Sequence, residues 1–218
     1  MVKFEIKDGV AIIPEGITEI GEFAFDGCSS LTNVTIPKSV KVIAKCAFFR
    51  CTSLKSITIP ESVTKIGQHA FAGCFSLESV TIPEAVTEIE DSAFCGCILL
   101  ESITIPKSVT EIGHYAFDDC LSLKSIIIPK SVRMIGVGAF RLCALLESVT
   151  IPESVTRIGC YAFAGCTSLK CVTFLSRTKL SDKVFSYSSR ITINVPSDCV
   201  DYYKEVLPVE FHDKIVEF

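Results

Sequence analysis

Prolines recur along the chain at a fixed interval: Pro14, Pro37, Pro60, Pro83, Pro106, Pro129 and Pro152 each stand 23 residues from the next. A period in this range marks a repeat architecture, in which each copy is one supersecondary unit that buries its apolar face only by stacking on neighbours. The residues between the prolines repeat too. One copy reads Leu54-x-x-Ile57-x-Ile59-Pro60, then Val63, Ile66, Gly67, Ala70, Phe71 and Cys74, and six such copies begin at Leu31, Leu54, Leu77, Leu100, Leu123 and Leu146. A degenerate copy precedes them, with Ile13, Pro14, Ile17, Ile20, Ala24, Phe25 and Cys28 in register but Asp8 in place of the leading leucine.

Within a copy, apolar and polar residues alternate before the proline, so Val80 and Ile82 point inward while Ser79 and Thr81 point out, which is the pattern of a short strand. Proline lacks the N–H that a ladder needs, so it ends each strand and turns the chain. A second extended piece such as Val63-Thr-Lys-Ile66 follows, and a compact turn through Ala70-Phe71-x-Gly73-Cys74 brings the chain back. The backbone entropy of ordering one copy exceeds what its own apolar side chains return on burial, so no copy stands alone. This divides the chain into an N-terminal cap with the degenerate copy over 1–30, six repeats over 31–168, and a last partial repeat with a C-terminal cap over 169–218. The cap opens where Leu175 replaces the expected proline. Ile191-Thr-Ile193-Asn-Val195-Pro196 reads as a strand, Ser197 as the cap of a helix running through Leu207, and Lys214 to Phe218 as a last strand.

The repeat Leu-x-x-Val/Ile-x-Ile-Pro-x-x-Val-x-x-Ile-Gly-x-x-Ala-Phe-x-x-Cys resembles the BspA-like class of leucine-rich repeats. The ending is similar as well, with Ile193-Asn-Val195-Pro196, Tyr202-Tyr203-Lys204 and Lys214-Ile215-Val216. The resemblance implies a repeat solenoid: a right-handed leucine-rich-repeat superhelix with a parallel β-sheet on the concave face, short strands and turns on the convex face, and an α+β C-terminal cap. It implies a non-catalytic protein–protein interaction module, since several members of that class are adhesins that recognise host or cell-surface proteins. A structural or self-associating scaffold is the alternative.

Charge excludes other classes. The net charge of −4 comes from 21 basic and 25 acidic residues scattered singly, which gives no electrostatic footprint for nucleic acid or anionic lipid. The start carries no apolar segment of signal-peptide length, and no stretch is long enough for membrane insertion. The chain as written therefore reads as cytoplasmic, whereas the resemblance implies a cell-surface or secreted protein.

Twelve cysteines invite a chemical reading, but Cys28, Cys51, Cys74, Cys97, Cys120, Cys143 and Cys166 share one repeat position and read as a buried ladder of reduced thiols. Some of Cys46, Cys95, Cys160, Cys171 and Cys199 are expected at the surface. No cysteine pair has zinc-ligand spacing with histidine partners, and His69, His114 and His212 fall in different units beside no nucleophile motif. Glu88, Glu90 and Asp91 read as a solvated face, and Asn33-Val-Thr35 is a glycosylation sequon by its letters only. No catalytic residue, cofactor or metal is expected.

Two surfaces are left for a partner protein. The concave face presents Ser56, Ser79, Ser102, Ser125 and Ser148 beside Thr58, Thr81, Thr104, Ile127 and Thr150. Charges of mixed sign flank them, with Lys55, Glu78, Glu101, Lys124 and Glu147 on one side and Glu61, Glu84, Lys107, Lys130 and Glu153 on the other. Strand propensity alone also favours such threonines. On the turn side, Phe75, Ile98, Leu121, Leu142 and Leu145, with Leu99 and Ala144, form an apolar stripe that is either an interface or the folded-down edge of the core. Phe23, His69, Tyr115 and Tyr161 share a neighbouring column and add possible anchors. The expected state is a monomer or a weak homo-oligomer.

Overall fold

The computed structural model describes residues 4–188 and 190–218. Residues 1–3 of the expected N-terminal cap, and Ser189, lie outside the described residues. Among the described residues the chain winds into a parallel-strand β-solenoid of about nine turns, with one α-helix, Val200–Val206, near its C-terminus. Most coils have one strand before the proline, such as Ser79–Thr81, and a two-residue strand after it, such as Glu88–Ile89. The second piece, expected over Val63 to Ile66, is a strand only at Lys65–Ile66. Between the two strands the proline carbonyl accepts a turn bond from the valine three residues on, as in Val63 N–H to Pro60 at 2.9 Å and Val132 N–H to Pro129 at 3.0 Å.

Strands of successive coils pair in parallel with a fixed offset of one repeat, so Ser79 lies beside Ser102 and Glu111 beside Met134. The ladder on the first face is not continuous. Residues 123–128 do not form a strand, and the bonds on either side of that coil, Lys124 N–H to Glu101 and Glu147 N–H to Lys124, are long at 3.3 Å. The first-face strands therefore group as 6–7, 10–12 and 33–35, then 56–57, 79–81 and 102–104, then 148–151, 171–174, 192–195 and 215–217. In the first group Ile6–Lys7 folds back antiparallel on Val10–Ile12.

The core is a set of columns, one residue per coil. Leu31, Leu54, Leu77, Leu100, Leu123 and Leu146 are all buried. Phenylalanines at one position stack ring on ring from Phe4 through Phe25, Phe48, Phe71, Phe94, Phe117, Phe140 and Phe163 to Phe185, with centroids 5.0 to 6.0 Å apart. Alanine precedes each of these rings from Ala47 to Ala162 and is fully buried, because the turn leaves no room for a longer side chain there.

The partial repeat continues the columns to Ser188. Lys179–Leu180 extends the second face, Phe185 extends the rings, and Ser188 Oγ donates to the Phe163 carbonyl at 2.9 Å just as Cys166 Sγ donates to Phe140 at 3.2 Å. The cap corrects one expectation. Ser197 makes no side-chain cap; a 3-10 turn at Ser197–Cys199 enters the helix, with Pro196 presetting the backbone and its carbonyl accepting the Cys199 N–H at 2.8 Å. Tyr203, fully buried, pins the helix to the last coil: its hydroxyl donates to the Ser176 carbonyl at 2.7 Å and accepts the Thr178 N–H at 3.1 Å.

Candidate functional site

Every residue expected on the strand face is exposed there. Ser56, Ser79, Ser102, Ser125 and Ser148 form one outward column and Thr58, Thr81, Thr104, Ile127 and Thr150 the next, held at constant register by the coils behind them. Ile127 is 83% exposed, an apolar side chain standing in a hydroxyl column, in the coil whose strand is lost. The columns also run further than the copies with full repeats. Cys171 lies beside Ser148 and Thr173 beside Thr150, and Asn194 in the next strand donates its amide to Cys171 Sγ at 3.1 Å and Thr173 Oγ1 at 3.3 Å. The partial repeat Leu169-Lys-Cys171-Val-Thr173 carried the signal for this extension.

The flanking charges are partly spent on each other. Lys124 reaches Glu101 at 2.8 Å, and Lys170 reaches Glu147 at 3.2 Å, both pairs well solvated. Such pairs contribute little to stability, and a partner could compete for them. Lys55 and Glu78 form no ion pair among the described residues. The second flanking column, Glu61, Glu84, Lys107, Lys130 and Glu153, is exposed throughout.

On the turn side the apolar stripe is in large part exposed. Phe75, Leu99, Leu121, Leu142 and Leu145 are exposed and Ile98 is half-buried. Yet two of them lie against the next coil: a Cβ built on Gly165 would come 2.7 Å from Leu142 Cδ2, and one on Gly96 would come 3.8 Å from the Phe75 ring. Glycine leaves the space that these side chains cover. Phe23, Tyr115 and Tyr161 are exposed in the neighbouring column, whereas His69 is half-buried with its ring edge-on to Phe49 at 6.4 Å.

The sequence matches the family model of the BspA type leucine-rich repeat region (6 copies) over residues 10–120 and 87–206. The chain belongs to the BspA-type leucine-rich repeat family. Its fold is similar to a leucine-rich repeat protein from Bacteroides ovatus, at 33% identity and a TM-score of 0.76, covering 85% of this chain and 55% of that one. It is also similar to a leucine-rich cell surface protein from Faecalibacterium prausnitzii, at 32% identity and a TM-score of 0.58, over 85% of this chain and 58% of the other. The leucine-rich repeat protein of T. pallidum matches at 30% identity and a TM-score of 0.71, over 92% and 88%. The chain thus spans little more than half the length of the first two. No curated protein matches it. BspA-type repeats are generally protein-interaction scaffolds.

Several titratable groups of this BspA-type solenoid bond its own backbone. Cys51, Cys74, Cys97, Cys120, Cys143 and Cys166 are buried, and each thiol donates to a phenylalanine carbonyl of the preceding coil at 3.1 to 3.3 Å. Burial pushes the Cys74 and Cys166 thiols up to about 12 and holds the others well above the ordinary range. Cys28, the first of the column, is half-buried, as are Cys95, Cys160 and Cys171, while Cys46 and Cys199 are buried. Asp91 Oδ1 accepts the His114 N–H at 2.7 Å, and His114 Nδ1 accepts the Val137 N–H at 2.8 Å, so these side chains cap coil edges. Glu90 accepts the Gln68 N–H and pairs with Lys65 at 3.0 Å. His212 contacts the Leu207 carbonyl at 3.1 Å within the cap. Among the described residues no three His, Cys, Asp or Glu converge as a metal site would need, and no helix is long and apolar enough to cross a membrane. Asn33 and Thr35 of the sequon are exposed on a strand.

Proposed function

We propose that this BspA-type chain is a protein-recognition module without catalytic chemistry, which holds its partner on the strand face. The observation that carries this is the exposed array itself. Paired columns of hydroxyls interrupted by Ile127, between two columns of mixed charge, stand at one-repeat spacing on the stacked coils. An apolar anchor within a polar surround is how binding energy concentrates in an interface, and charge pattern then selects the partner. The printed description of the F. prausnitzii relative as a cell surface protein supports the adhesin-like version, in which the partner is a host or cell-surface protein.

The test is binding to an immobilised panel of extracellular-matrix and cell-surface proteins. The double variant Lys124→Glu, Ile127→Asp is expected to weaken capture about tenfold or more, roughly 1.4 kcal/mol. Leu121→Ser, Leu145→Ser on the turn side is expected to leave it unchanged. Loss in the turn-side variant with retention in the strand-face variant would overturn the reading.

The exposure of Phe75 (45%) and Leu145 (46%) favours a second reading, self-association through the stripe. Light scattering decides it: a mass that rises with concentration, and falls back to the monomer in Phe75→Ser, Ile98→Ser, would place an interface there.

A further inference from the structure

On the turn side, coils are joined by a repeated set of three hydrogen bonds. In one coil the N–H groups of Gly138, Phe140 and Leu142 donate to the carbonyls of Cys160, Ala162 and Ala164 in the next, at 2.9, 2.8 and 2.8 Å. Phe163 and Gly165 donate in turn to Val184 and Ser186, at 2.9 and 2.7 Å. The equivalent donors of the last coil are Lys183, Phe185 and Tyr187. Lys183 and Tyr187 have the left-handed φ of Gly138 and Leu142, 58° and 62° against 60° and 59°, and Phe185 continues the ring column. Among the described residues these three N–H groups find no acceptor.

They face a cleft. On the strand side the stack goes on past this coil by two more strands, Thr192–Val195 and Ile215–Glu217, but no coil turn is laid over residues 180–187. Between that segment and residues 205–214 of the cap a cavity of about 660 Å³ remains open. Its floor is Phe185, Leu207 and Phe211, the last ring edge-on to Phe185 at 6.1 Å, and on its rim Tyr187 is 88% exposed. The volume falls within the roughly 300–1,000 Å³ of ligand sites.

We propose that this cleft is a second binding site, which takes a single peptide segment from another protein whose backbone carbonyls complete the bonds left open at Lys183, Phe185 and Tyr187. A backbone donor left open at the end of a ladder takes water or a partner's acceptor, and an occupant offering carbonyls in series matches the spacing of these three. Charge selects carbonyls over an anion, since Asp182, Glu205 and Glu210 outnumber Lys183 and Lys214 around the cleft. Space selects a segment over a whole coil: a coil from a second copy would drive its own strand into the position of Thr192–Val195, which already pairs with the strand of the last coil.

The probe is a capped peptide of residues 66–75 carrying Cys74→Ser, the turn that supplies these carbonyls inside the stack, titrated into the ¹⁵N-labelled full chain. The expected result is saturable shifts of the Lys183, Phe185 and Tyr187 amides and about tenfold slower hydrogen exchange at all three. A scrambled peptide is expected to do neither. Ser186→Trp fills the cleft at a repeat position where other coils carry Phe49 and Arg141, and it should abolish the shifts while leaving the remaining spectrum in place. Silence of the three amides at millimolar peptide, equal shifts with sodium acetate, or undiminished binding in Ser186→Trp would each overturn the proposal.

Discussion

The ring of Tyr115 covers Gly138 in the next coil: a Cβ at residue 138 would stand 2.5 Å from Tyr115 Cε1. Both residues occupy the same repeat position, which holds a left-handed backbone in every coil, at φ 55° in Tyr115 and 60° in Gly138. Other coils place Phe23, Cys46, His69 and Tyr161 there, so the conformation alone does not demand glycine. In this coil the Tyr115 ring fills the space that a side chain would take. Gly138→Ala is expected to cost about 1–3 kcal/mol, as overpacking does. Tyr115→Ala combined with it should recover part of that loss, a coupling of at least roughly 0.5 kcal/mol in urea unfolding. Strict additivity would show that the ring is not the cause.

A second coil-to-coil contact is ionic. Arg141 holds Asp118 with two parallel bonds, Nε to Oδ1 and Nη2 to Oδ2, both 2.8 Å, and Asp118 is buried while Arg141 is half-exposed. Removing the arginine leaves a largely buried carboxylate without its partner, whereas removing the aspartate leaves a guanidinium that is already half in water. Arg141→Ala should therefore destabilise by about 1.5–3 kcal/mol, and Asp118→Ala by less, on the scale of hydrogen bonds to charged groups. The reverse order in chemical denaturation would contradict the burial.

The thiol column makes two predictions. At pH 8 a thiol reagent should label half-exposed Cys160 and Cys171 in the native protein and reach Cys74, Cys97, Cys120, Cys143 and Cys166 only on unfolding, since the protonated, buried thiol is a poor nucleophile. The folded thiols are raised above their unfolded value, so their contribution is intact below the unfolded pKa near 8.5 and is lost as pH climbs toward the folded values. Melting temperature is expected to fall steeply above about pH 9 and to fall less in a variant carrying Cys97→Ala, Cys120→Ala.

Glu88 sits directly beside Glu111 in adjacent strands, and burial first, then Glu111, Glu90 and Asp91, raises its carboxyl above the ordinary value. A raised acid supports the fold while protonated and loses that support as pH rises through its folded pKa. Glu88→Gln should stabilise at pH 7 by a few tenths of a kcal/mol, about the size of a cross-strand pair on an open face, with the gain vanishing near pH 3. A loss at pH 7 would mean that Glu88 makes a favourable contact instead.

The period, the inward leucines, the ring column and the outward hydroxyls were all legible, because each recurs and only one stacking arrangement buries every recurring apolar residue. Once the 23-residue register is known, Asp118 and Arg141 are adjacent by arithmetic. The left-handed backbone at Cys46, His69 and Tyr115 was not legible, since no glycine marks it and the neighbouring coils impose it. Nor was Ser188 as the next member of the thiol column: it stands 22 residues from Cys166 and has lost the sulfur, while keeping the hydrogen bond to the coil before it.

What the sequence by itself determined is therefore the coil, its period and the surface each coil presents, for a repeated pattern permits only a repeated solution. Tertiary structure alone decided the ends. The cap does not repeat, and where Tyr203, Leu207 and Phe211 settle depends on the shape of the last coil beneath them. By closing the strand side and leaving the turn side open, that packing leaves the backbone of residues 183–187 beside a cleft that no local pattern announces.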